Sequence, residues 1–525
     1  MLPPPPEPPL WAWLLVGAID FVIRVVALGV VPKHRRASTS TAWLLLIFLW
    51  PLLGVPLYII FGSWWAMGRR LDDDPEARAL VDAIVADSTA PQPASFEVPT
   101  GPDGLPFGSD GDTASIMRLS GNLSGFPASA GRVGRLYNDT AETFRAMAAS
   151  IDAATHHVNA LYYQTSWDEY TAPFYEALER AVARGVTVRL LVDHHGMRTI
   201  PGHRDFRRRL NAMGIQWHEM LPFAPLRGQI RRPDLRNHRK ILVIDGEKAF
   251  IGSHNVIDPS YRTRRNVRAG RRWEDLSVEV TGEIVLEAQA VFAMDWYFEA
   301  GEQLEAFDLA LGTPLETLPE MAGLPGILVG TPAPRPGRPD AVVNAMQLVP
   351  SGPGYPTEPN LRMVLSLIQN ATERVSITSP YFVPDEALLS AMTTAAYRGV
   401  EVELFVGRES DHLIVNHAQR SYYQALLASG VRIYRYPAPT VLHAKYMTVD
   451  DEIAIIGSAN MDFRSFALNY EVMLLAFGGD LDDLLRANDA HYRSVSPELT
   501  AEEWAAEPWW RRYIDNVCRL LSAVL

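Results

Sequence analysis

A block of eighteen residues that occurs twice constrains the fold of this chain more than any other feature. The copies are HRKILVIDGEKAFIGSHN, which starts at His238, and HAKYMTVDDEIAIIGSAN, which starts 205 residues later at His443. Both copies place Lys two positions after His, Asp seven, Gly fourteen and Asn seventeen. Chance rarely preserves five such positions twice, so we interpret the chain as two related halves. The polar members are His238, Lys240, Asp245 and Asn255 in the first copy, and His443, Lys445, Asp450 and Asn460 in the second.

The apolar residues inside each copy predict its local structure. ILVID followed by AFIGS, and YMTVD followed by IAIIGS, are typical of two short strands whose turn holds the Asp. Since residues i and i+2 of a strand face the same side, the His and Lys of one copy project together. Two such edges meeting across a pseudo-twofold axis would bring both His and both Lys into one pocket.

A second repeat supports the same division of the chain into an α/β fold. RGVTVRLLV at 184–192 is echoed by RGVEVELFV at 398–406, and each copy follows an amphipathic stretch, which predicts a helix feeding a buried strand. Stretches rich in Pro and Gly separate the parts. We therefore expect an N-terminal anchor at 1–70, a linker at 71–111, a first half at 112–311, a linker at 312–340 and a second half at 341–525.

The first seventy residues predict a membrane anchor. Leu10 to Val31 and Ala42 to Trp65 are each long and apolar enough to cross about 30 Å of hydrocarbon, which predicts a transmembrane helical hairpin. A cleaved signal peptide is the alternative, but the start of the chain has no basic region and a second apolar stretch follows at once. Asp20 and Arg24 stand four residues apart, so they can neutralise each other on the face that meets the second helix; a role in transport is the less favoured interpretation.

Three residues interrupt the second apolar stretch. Pro51, Gly54 and Pro56 leave a kink or a shallow re-entrant path as alternatives to a straight second span. Basic residues flank both ends of the hairpin, so their distribution does not decide its orientation.

Composition excludes several classes of function. A formal net charge of -13 argues against a protein whose whole surface binds nucleic acid, and the single Cys518 rules out an intramolecular disulfide framework or a cysteine-rich metal site. His194, His195 and His203 have no carboxylate or thiol at a recognisable ligand spacing, so we expect no metal. No organic cofactor is expected either.

Two histidines and two lysines in one pocket suit the cleavage of a phosphodiester. That reaction needs a nucleophile, a proton for the leaving alcohol and positive charge near the oxygens of phosphorus. One imidazole can attack phosphorus while the other moves the proton, and the lysines can bind the nonbridging oxygens. The alternative, core histidines and surface lysines in a merely duplicated hairpin, does not explain why the polar spacing is kept.

The two blocks resemble the paired HxKxxxxD signatures of the phospholipase D superfamily. The resemblance implies a duplicated α/β/α sandwich with one shared active site across a pseudo-twofold axis, a reaction without metal, and a covalent phosphohistidine in a ping-pong cycle. Carried over by position, it makes His238 and His443 the nucleophile and general acid/base pair, the first-half His being the usual nucleophile. It makes Lys240, Lys445, Asn255 and Asn460 the phosphate-binding residues. Asp245 and Asp450 complete the catalytic signature, although their place in a turn favours a structural role.

Four further residues are candidates for the site. Ser253 and Ser458, beside the shared glycines, are predicted to touch phosphate, with turn formation as the alternative. Asp275 and Glu471 follow the blocks, where a carboxylate could accept a hydrogen bond from a catalytic imidazole and fix its tautomer.

The anchor favours a lipid substrate. AWLLLIFLWPLLGVPLYIIFGS at 42–63 resembles the second span of bacterial cardiolipin synthases, a resemblance that implies a bacterial cytoplasmic-membrane enzyme joining two phosphatidylglycerols into cardiolipin with release of glycerol. Arg227 to Arg272 carries thirteen Lys or Arg against four Asp or Glu, which suits phosphatidylglycerol and other anionic phospholipids at a bilayer. Another lipid hydrolase or transphosphatidylase, and a membrane-tethered nuclease, remain alternatives, although no nucleic-acid partner is expected. The oligomeric state is left open.

The C-terminal segment has two interpretations. Trp504, Trp509, Trp510, Arg511 and Arg512 with an apolar face are typical of a helix at the membrane interface, and equally of one packed on the second half.

Overall fold

The computed structural model describes residues 9–33, 37–63, 111–224, 229–304, 344–355 and 357–520, together with 75 and 79. The chain divides into two compact units, one of Met1–Gly68 with Phe223–Leu235 and the other of Arg69–Pro222 with Arg236–Leu525. Apart from 75, 79 and 111, the two predicted linkers lie outside the described residues.

The first unit contains the apolar N-terminal helices. They are α1 (Leu10–Val30), α2 (Ala37–Leu49) and α3 (Pro51–Leu57), the last continuing as a π-helix (Tyr58–Gly62). Among the described residues, α1 alone is long and apolar enough to cross a membrane, through Trp13–Val30. Arg24 Nε lies 2.8 Å from Asp20 Oδ2, and the Arg24 guanidinium lies 5.5 Å from the centre of the Phe48 ring in α2. The predicted pair therefore forms and faces the second apolar stretch.

The second apolar stretch differs from the predicted spanning helix. The chain leaves the helical conformation at Trp50 (φ -138°, ψ 75°), because a residue before proline is pushed out of the α region, and Pro51 then starts a new helix. The rings of Trp43 and Tyr58 lie 5.5 Å apart, whereas fifteen residues of straight helix would separate them by about 22 Å. A Cβ at Gly54 would stand 2.7 Å from Ile47 Cα. The stretch thus doubles back on itself, and a second span is not confirmed.

The first half supplies strands β1 to β10 and helices α4 to α10. The strands are β1 (Ser129–Tyr137), β2 (His157–Tyr162), β3 (Thr187–Asp193), β4 (Gln216–Met220), β5 (Phe223–Ala224), β6 (Gln229–Ile230), β7 (Ile241–Ile244), β8 (Lys248–Gly252), β9 (Arg272–Glu274) and β10 (Ser277–Gly282). The helices are α4 (Gly111–Ser124), α5 (Thr140–Ala153), α6 (Ala172–Ala183), α7 (His194–Arg198), α8 (His203–Met213), α9 (Arg264–Ala269) and α10 (Ile284–Ala300). The short β5 and β6 belong to the first unit.

The second half repeats this order. Its strands are β11 (Asn344–Ser351), β12 (Arg374–Thr378), β13 (Phe382–Val383), β14 (Glu401–Gly407), β15 (Arg432–Tyr436), β16 (Thr440–Leu442), β17 (Tyr446–Val449), β18 (Ile453–Gly457), β19 (Met461–Asp462), β20 (Glu471–Phe477) and β21 (Glu498–Leu499). Its helices are α11 (Pro359–Asn370), α12 (Glu386–Tyr397), α13 (Leu413–Arg420), α14 (Tyr423–Ser429), α15 (Phe463–Ala467), α16 (Asp480–Val495), α17 (Ala501–Ala505) and α18 (Trp509–Arg519).

The two halves share one sheet. Its fifteen described strands run in the order β21-β15-β14-β12-β17-β18-β20-β11-β1-β10-β8-β7-β2-β3-β4. Read inward from each side, β15 to β11 and β4 to β1 follow the same connectivity, so the sheet is symmetric about the antiparallel β1–β11 pair, which joins Ala130 to Ala345. This confirms the predicted duplicated α/β fold with a pseudo-twofold axis. Strands such as β2 and β11 are buried along their whole length.

Both predicted hairpins are present. β7 pairs antiparallel with β8, and β17 with β18. Asp245 and Asp450 occupy the turns with φ of 52° and 51°, a conformation that Asp tolerates better than most residues. The two RGV repeats are also confirmed, since α6 leads into β3 and α12 into β14.

Candidate active site

The backbone of each half holds the histidine of the other half. The amide of His238 donates to the carbonyl of Tyr470, and the amide of His443 donates to the carbonyl of Glu274, both at 2.8 Å. The two acceptors directly precede Glu471 and Asp275. The carboxylates predicted to orient an imidazole therefore stand beside the histidine of the opposite half.

The side-chain contacts are exchanged in the same way. Nδ1 of His443 lies 2.6 Å from Oδ1 of Asp275, and Nδ1 of His238 lies 3.2 Å from Oε1 of Glu471. Asp275 and Glu471 are almost fully buried. The carboxylate on Nδ1 of His443 keeps the proton on that nitrogen and leaves Nε2 for reaction. Nδ1 of His238 lies equally close, at 3.2 Å, to Glu471 and to Nδ2 of Asn469. The sequence had paired each carboxylate with a block but could not say which histidine it would reach.

Burial sets the protonation of the two imidazoles. It lowers the pKa of His238 to about 4, against the opposing attraction of Glu471, and it lowers the pKa of His443 as well. Although burial opposes ionisation of Asp275, the nearby His443 and Lys445 hold the pKa of that carboxyl below its usual range. At neutral pH the free site thus contains neutral imidazoles next to ionised carboxylates, and a neutral imidazole is the nucleophilic form.

The two lysines are buried beside the histidines. Lys240 and Lys445 are 4% and 2% exposed, and each amine donates to the carbonyl oxygen of the histidine two residues earlier. Burial lowers the pKa of both, that of Lys445 to about 7, and the charge of Lys240 contributes to the lowering at Lys445. Two amines in one buried site provide the positive charge that an anionic phosphodiester needs.

Both serines of the repeated blocks hydrogen-bond to the predicted orienting carboxylates. Ser253 Oγ donates to Asp275 Oδ1 at 2.7 Å, and Ser458 Oγ donates to Glu471 Oε2 at 2.6 Å. Each hydroxyl also accepts the backbone amide that follows its carboxylate, from Leu276 or Val472. Both serines are fully buried, so they support the carboxylates instead of lying open to phosphate. Each serine, carboxylate and histidine thus form one series of contacting side chains, Ser253–Asp275–His443 in one case and Ser458–Glu471–His238 in the other.

The two asparagines are not equivalent. Asn255 is engaged on both sides, since its Oδ1 accepts the amide of Gln164 at 3.2 Å and its Nδ2 donates to the hydroxyl of Tyr261 at 2.8 Å. The buried Oδ1 of Asn460 has no hydrogen-bond partner among the described residues. Asn460 is thus the asparagine with hydrogen-bonding capacity left for a bound substrate.

Asp245 and Asp450, the aspartates of the two repeated blocks, hold the hairpin turns in place. Asp245 accepts the amides of Thr155, His156 and His157 at 2.7 to 2.9 Å, and these residues lead into β2. Asp450 accepts the amides of Thr372, Glu373 and Arg374 in the same way before β12. These contacts tie each hairpin turn to the adjacent strand. Because both carboxylates accept backbone amides, this geometry favours the structural role over the catalytic one.

Comparison with known proteins gives the family. Residues 147–296 and 364–488 match the family model described as "Cardiolipin synthase, PLD-like domain", and residues 21–63 match "Phospholipase_D-nuclease N-terminal". Cardiolipin synthase A of Serratia proteamaculans (strain 568) is 30% identical over 98% of both chains. The chain belongs to the cardiolipin synthase family. Cardiolipin synthase A of Yersinia pseudotuberculosis serotype O:1b (strain IP 31758) gives the same identity and coverage.

A solved structure supports the fold of this cardiolipin synthase family member. Phosphatidylserine synthase of Haemophilus influenzae Rd KW20 matches with a TM-score of 0.55 and 14% identity, over 78% of this chain and 99% of that one. At this identity the match describes the fold alone.

Sequence reasoning missed Arg239, which stands between the His and Lys of the first block. Its guanidinium is fully buried, lies 2.7 Å from both oxygens of Asp295, and donates to the carbonyl of Glu471 at 3.1 Å and to the Tyr355 hydroxyl at 3.3 Å. Arg239 therefore links the first half to the second directly behind the His238–Glu471 contact. The second block has Ala444 at this position, and that difference between the copies was the available signal.

Two tyrosine rings lie close to the two histidines. The Tyr163 ring lies 4.3 Å from the His238 ring, and the Tyr261 ring lies 6.3 Å from that of His443 while it packs on Trp273 at 4.6 Å. Tyr163 lies directly after β2, and the end of a buried strand was the only signal for it.

Proposed function

We propose that this protein is a cardiolipin synthase that transfers a phosphatidyl group from one phosphatidylglycerol to another, giving cardiolipin and glycerol. The observation that carries the proposal is the crossed pair of contacts, His443 with Asp275 and His238 with Glu471, around two buried lysines. Each histidine depends on a carboxylate of the other half, so both halves build one site. The family membership supplies the lipid context.

His238 is the proposed nucleophile. Its pKa is lowered to about 4, so its imidazole is neutral at physiological pH. His443, by contrast, has the shorter contact to an ionised carboxylate, 2.6 Å to Asp275, and such a contact stabilises the imidazolium that a general acid must form. The family's usual assignment of the nucleophile to the first half agrees with this asymmetry.

In the first step, Nε2 of His238 attacks the phosphorus of one phosphatidylglycerol. A phosphorus–nitrogen bond forms, and the bond from phosphorus to the glycerol headgroup oxygen breaks. His443, which takes up a proton when the anionic phosphodiester binds beside it, gives that proton to the leaving oxygen. Free glycerol leaves, and the phosphatidyl group remains on His238. Lys240 and Lys445 stabilise the nonbridging oxygens, where charge develops in the transition state.

In the second step, a headgroup hydroxyl of another phosphatidylglycerol enters. His443, now neutral, takes the hydroxyl proton, the oxygen attacks phosphorus, and the phosphorus–nitrogen bond breaks. Cardiolipin forms and both imidazoles return to their starting protonation. Water in place of the second lipid would give phosphatidic acid, which separates a hydrolase from the transferase.

The apolar N-terminal unit is proposed to hold the enzyme in the bacterial cytoplasmic membrane. The helix α1 is the crossing segment, and the doubled-back second stretch favours a re-entrant path over the second span that the sequence predicted. Cysteine labelling of Ser40→Cys and Ser63→Cys, in a Cys518→Ser background, separates the two. Both positions label from one side if the stretch is re-entrant and from opposite sides if it spans.

The test of the function is product analysis with labelled phosphatidylglycerol. Full-length protein in vesicles with a chelator present is expected to release cardiolipin and glycerol in equal amounts, and His238→Ala and His443→Ala to release neither. Phosphatidic acid as the sole lipid product would replace the synthase with a hydrolase.

A further inference from the structure

The helix α18 at the end of the described chain has two different faces. Asp515 is 1% exposed and binds Nδ1 of His417 at 2.7 Å and Nε of Arg420 at 3.3 Å, both on α13. Cys518, one turn further on, packs on the hydrophobic core of the second half. These contacts fix which side of α18 faces the protein.

The opposite face of α18 is apolar, and the described part of the chain leaves it exposed. Trp509, Tyr513, Val517 and Leu520 recur at intervals of four, four and three residues, which places them on one side of the helix. Trp509, Tyr513 and Leu520 are 76%, 65% and 81% exposed. Soluble proteins seldom leave a contiguous apolar patch of this kind in water, so the patch indicates a partner.

The chemistry of this face fits a lipid surface. Trp and Tyr are the residues enriched at membrane–water interfaces, because they combine an apolar ring with a polar group. Arg511, Arg512 and Arg519 lie on the same helix. Its single acidic residue, Asp515, is buried and paired with His417 and Arg420. The helix thus carries positive charge beside its aromatic face, although Arg511 also pairs with Glu507, and this charge complements anionic headgroups.

The neighbouring helix α13, which contacts α18 through His417 and Arg420, also exposes apolar residues. Its first residues, Leu413 and Ile414, are exposed. Just before them, Asp411 accepts the hydroxyl of Tyr381 at 2.6 Å and acts electrostatically on Lys445. Two residues earlier, Glu409 pairs with Arg271 at 3.1 Å. Two exposed apolar residues thus follow, two and three positions along the chain, a carboxylate that acts on Lys445.

We infer that α18, with the start of α13, is an interfacial foot that lies in the headgroup region of an anionic bilayer beside the mouth of the active site. This foot is distinct from the N-terminal apolar unit. With the foot at the membrane surface, the lipid headgroup reaches the histidines from that surface, while the acyl chains stay in the bilayer.

Spin-label accessibility tests this placement without reference to turnover. Tyr513→Cys and, as a control, Tyr397→Cys are labelled in a Cys518→Ser background; Tyr397 lies on α12 and is 74% exposed. In vesicles that contain phosphatidylglycerol, the label at 513 is expected to collide more with oxygen than with a water-soluble nickel chelate, and the label at 397 to show the reverse. Equal access of nickel to both positions, or coupling between labels at 513 that reveals a second copy of the chain, would overturn the inference.

A second measurement covers the effect on catalysis. The double variant Trp509→Ser/Tyr513→Ser is expected to turn over bilayer phosphatidylglycerol about tenfold more slowly, because interfacial binding scales with buried apolar area. Its turnover of dispersed short-chain phosphatidylglycerol, and both activities of Tyr397→Ser, should match the wild type. An equal loss on both substrates would show that the residues act through folding, and no loss on bilayers would also contradict the foot.

Discussion

Asp275, which follows the first repeat, lies 2.6 Å from Nδ1 of His443 in the second, so this histidine takes its carboxylate partner from the other half. Glu471 stands in the reciprocal relation to His238. This exchange explains why the two halves share a continuous sheet, because their relative position decides whether each imidazole has its carboxylate.

The exchanged contact predicts a kinetic defect. Asp275→Asn removes the negative charge that stabilises the His443 imidazolium, so kcat should fall by about 100-fold or more with little change in KM. Asp205→Asn, at an exposed carboxylate, is the matched control and should keep full activity. Steady-state kinetics on phosphatidylglycerol vesicles measures both. A normal kcat for Asp275→Asn would show that His443 does not need this partner.

Replacing Ser253 distinguishes support of the Asp275 carboxylate from contact with the substrate phosphate. As a support for Asp275, its replacement in Ser253→Ala should lower kcat by about tenfold, roughly the effect of one lost hydrogen bond of 1.4 kcal/mol to a charged group, and leave KM unchanged. A serine that touches the substrate phosphate would instead raise KM. Ser458→Ala should behave in the same way through Glu471. An increase in KM alone would restore the phosphate-binding role that the sequence predicted.

The buried pair of Arg239 and Asp295 predicts a stability effect. Arg239→Met leaves a buried carboxylate without its partner and should destabilise the catalytic body by about 3 to 5 kcal/mol in urea unfolding. Removing both charges, in Arg239→Met/Asp295→Leu, should recover much of this loss. The double variant should remain less active than wild type, since Arg239 also donates to the backbone of Glu471. If the double variant were as unstable as Arg239→Met, the loss of stability would not come from the unpaired carboxylate of Asp295.

Lys445 predicts a pH dependence. Burial, with the like charge of Lys240, lowers its pKa to about 7. As pH rises through this value the free enzyme loses positive charge, so kcat/KM should fall, while kcat falls only at higher pH because bound phosphate raises the pKa of the amine. Lys445→Arg keeps its charge and should lose this alkaline limb. The affinity of wild-type protein for inorganic phosphate, followed by phosphorus NMR, should decline over the same range; a constant affinity would contradict the role.

Much of this could be predicted from the repeat. The spacing of His238, Lys240 and Asp245 identified the hairpin and its turn, because strand alternation has a fixed period. His238 and Lys240 themselves stand just before β7 (Ile241–Ile244). Alternation does not say which half a side chain will meet, so the exchange of Asp275 and Glu471 could not be derived. For the same reason the hydroxyls of Ser253 and Ser458 were assigned to phosphate.

The second membrane span is not confirmed, for a different reason. Hydropathy measures how long and apolar a stretch is, and the residues around Trp50 pass that test. Whether Pro51 kinks a helix or reverses it depends on what packs across the bend, here Trp43 on Tyr58 and Gly54 on Ile47. These contacts join residues that no local pattern connects.

Both halves are proposed to act in one site through a phosphatidyl group held covalently on His238. Rapid acid-free quenching of wild-type enzyme during turnover of phosphatidylglycerol, followed by protease digestion and mass spectrometry, tests it directly. A phosphatidyl adduct is expected on the peptide that contains His238, and it should be absent from both His238→Ala and His443→Ala. Cardiolipin production without any adduct, or an adduct on His443 alone, would contradict it.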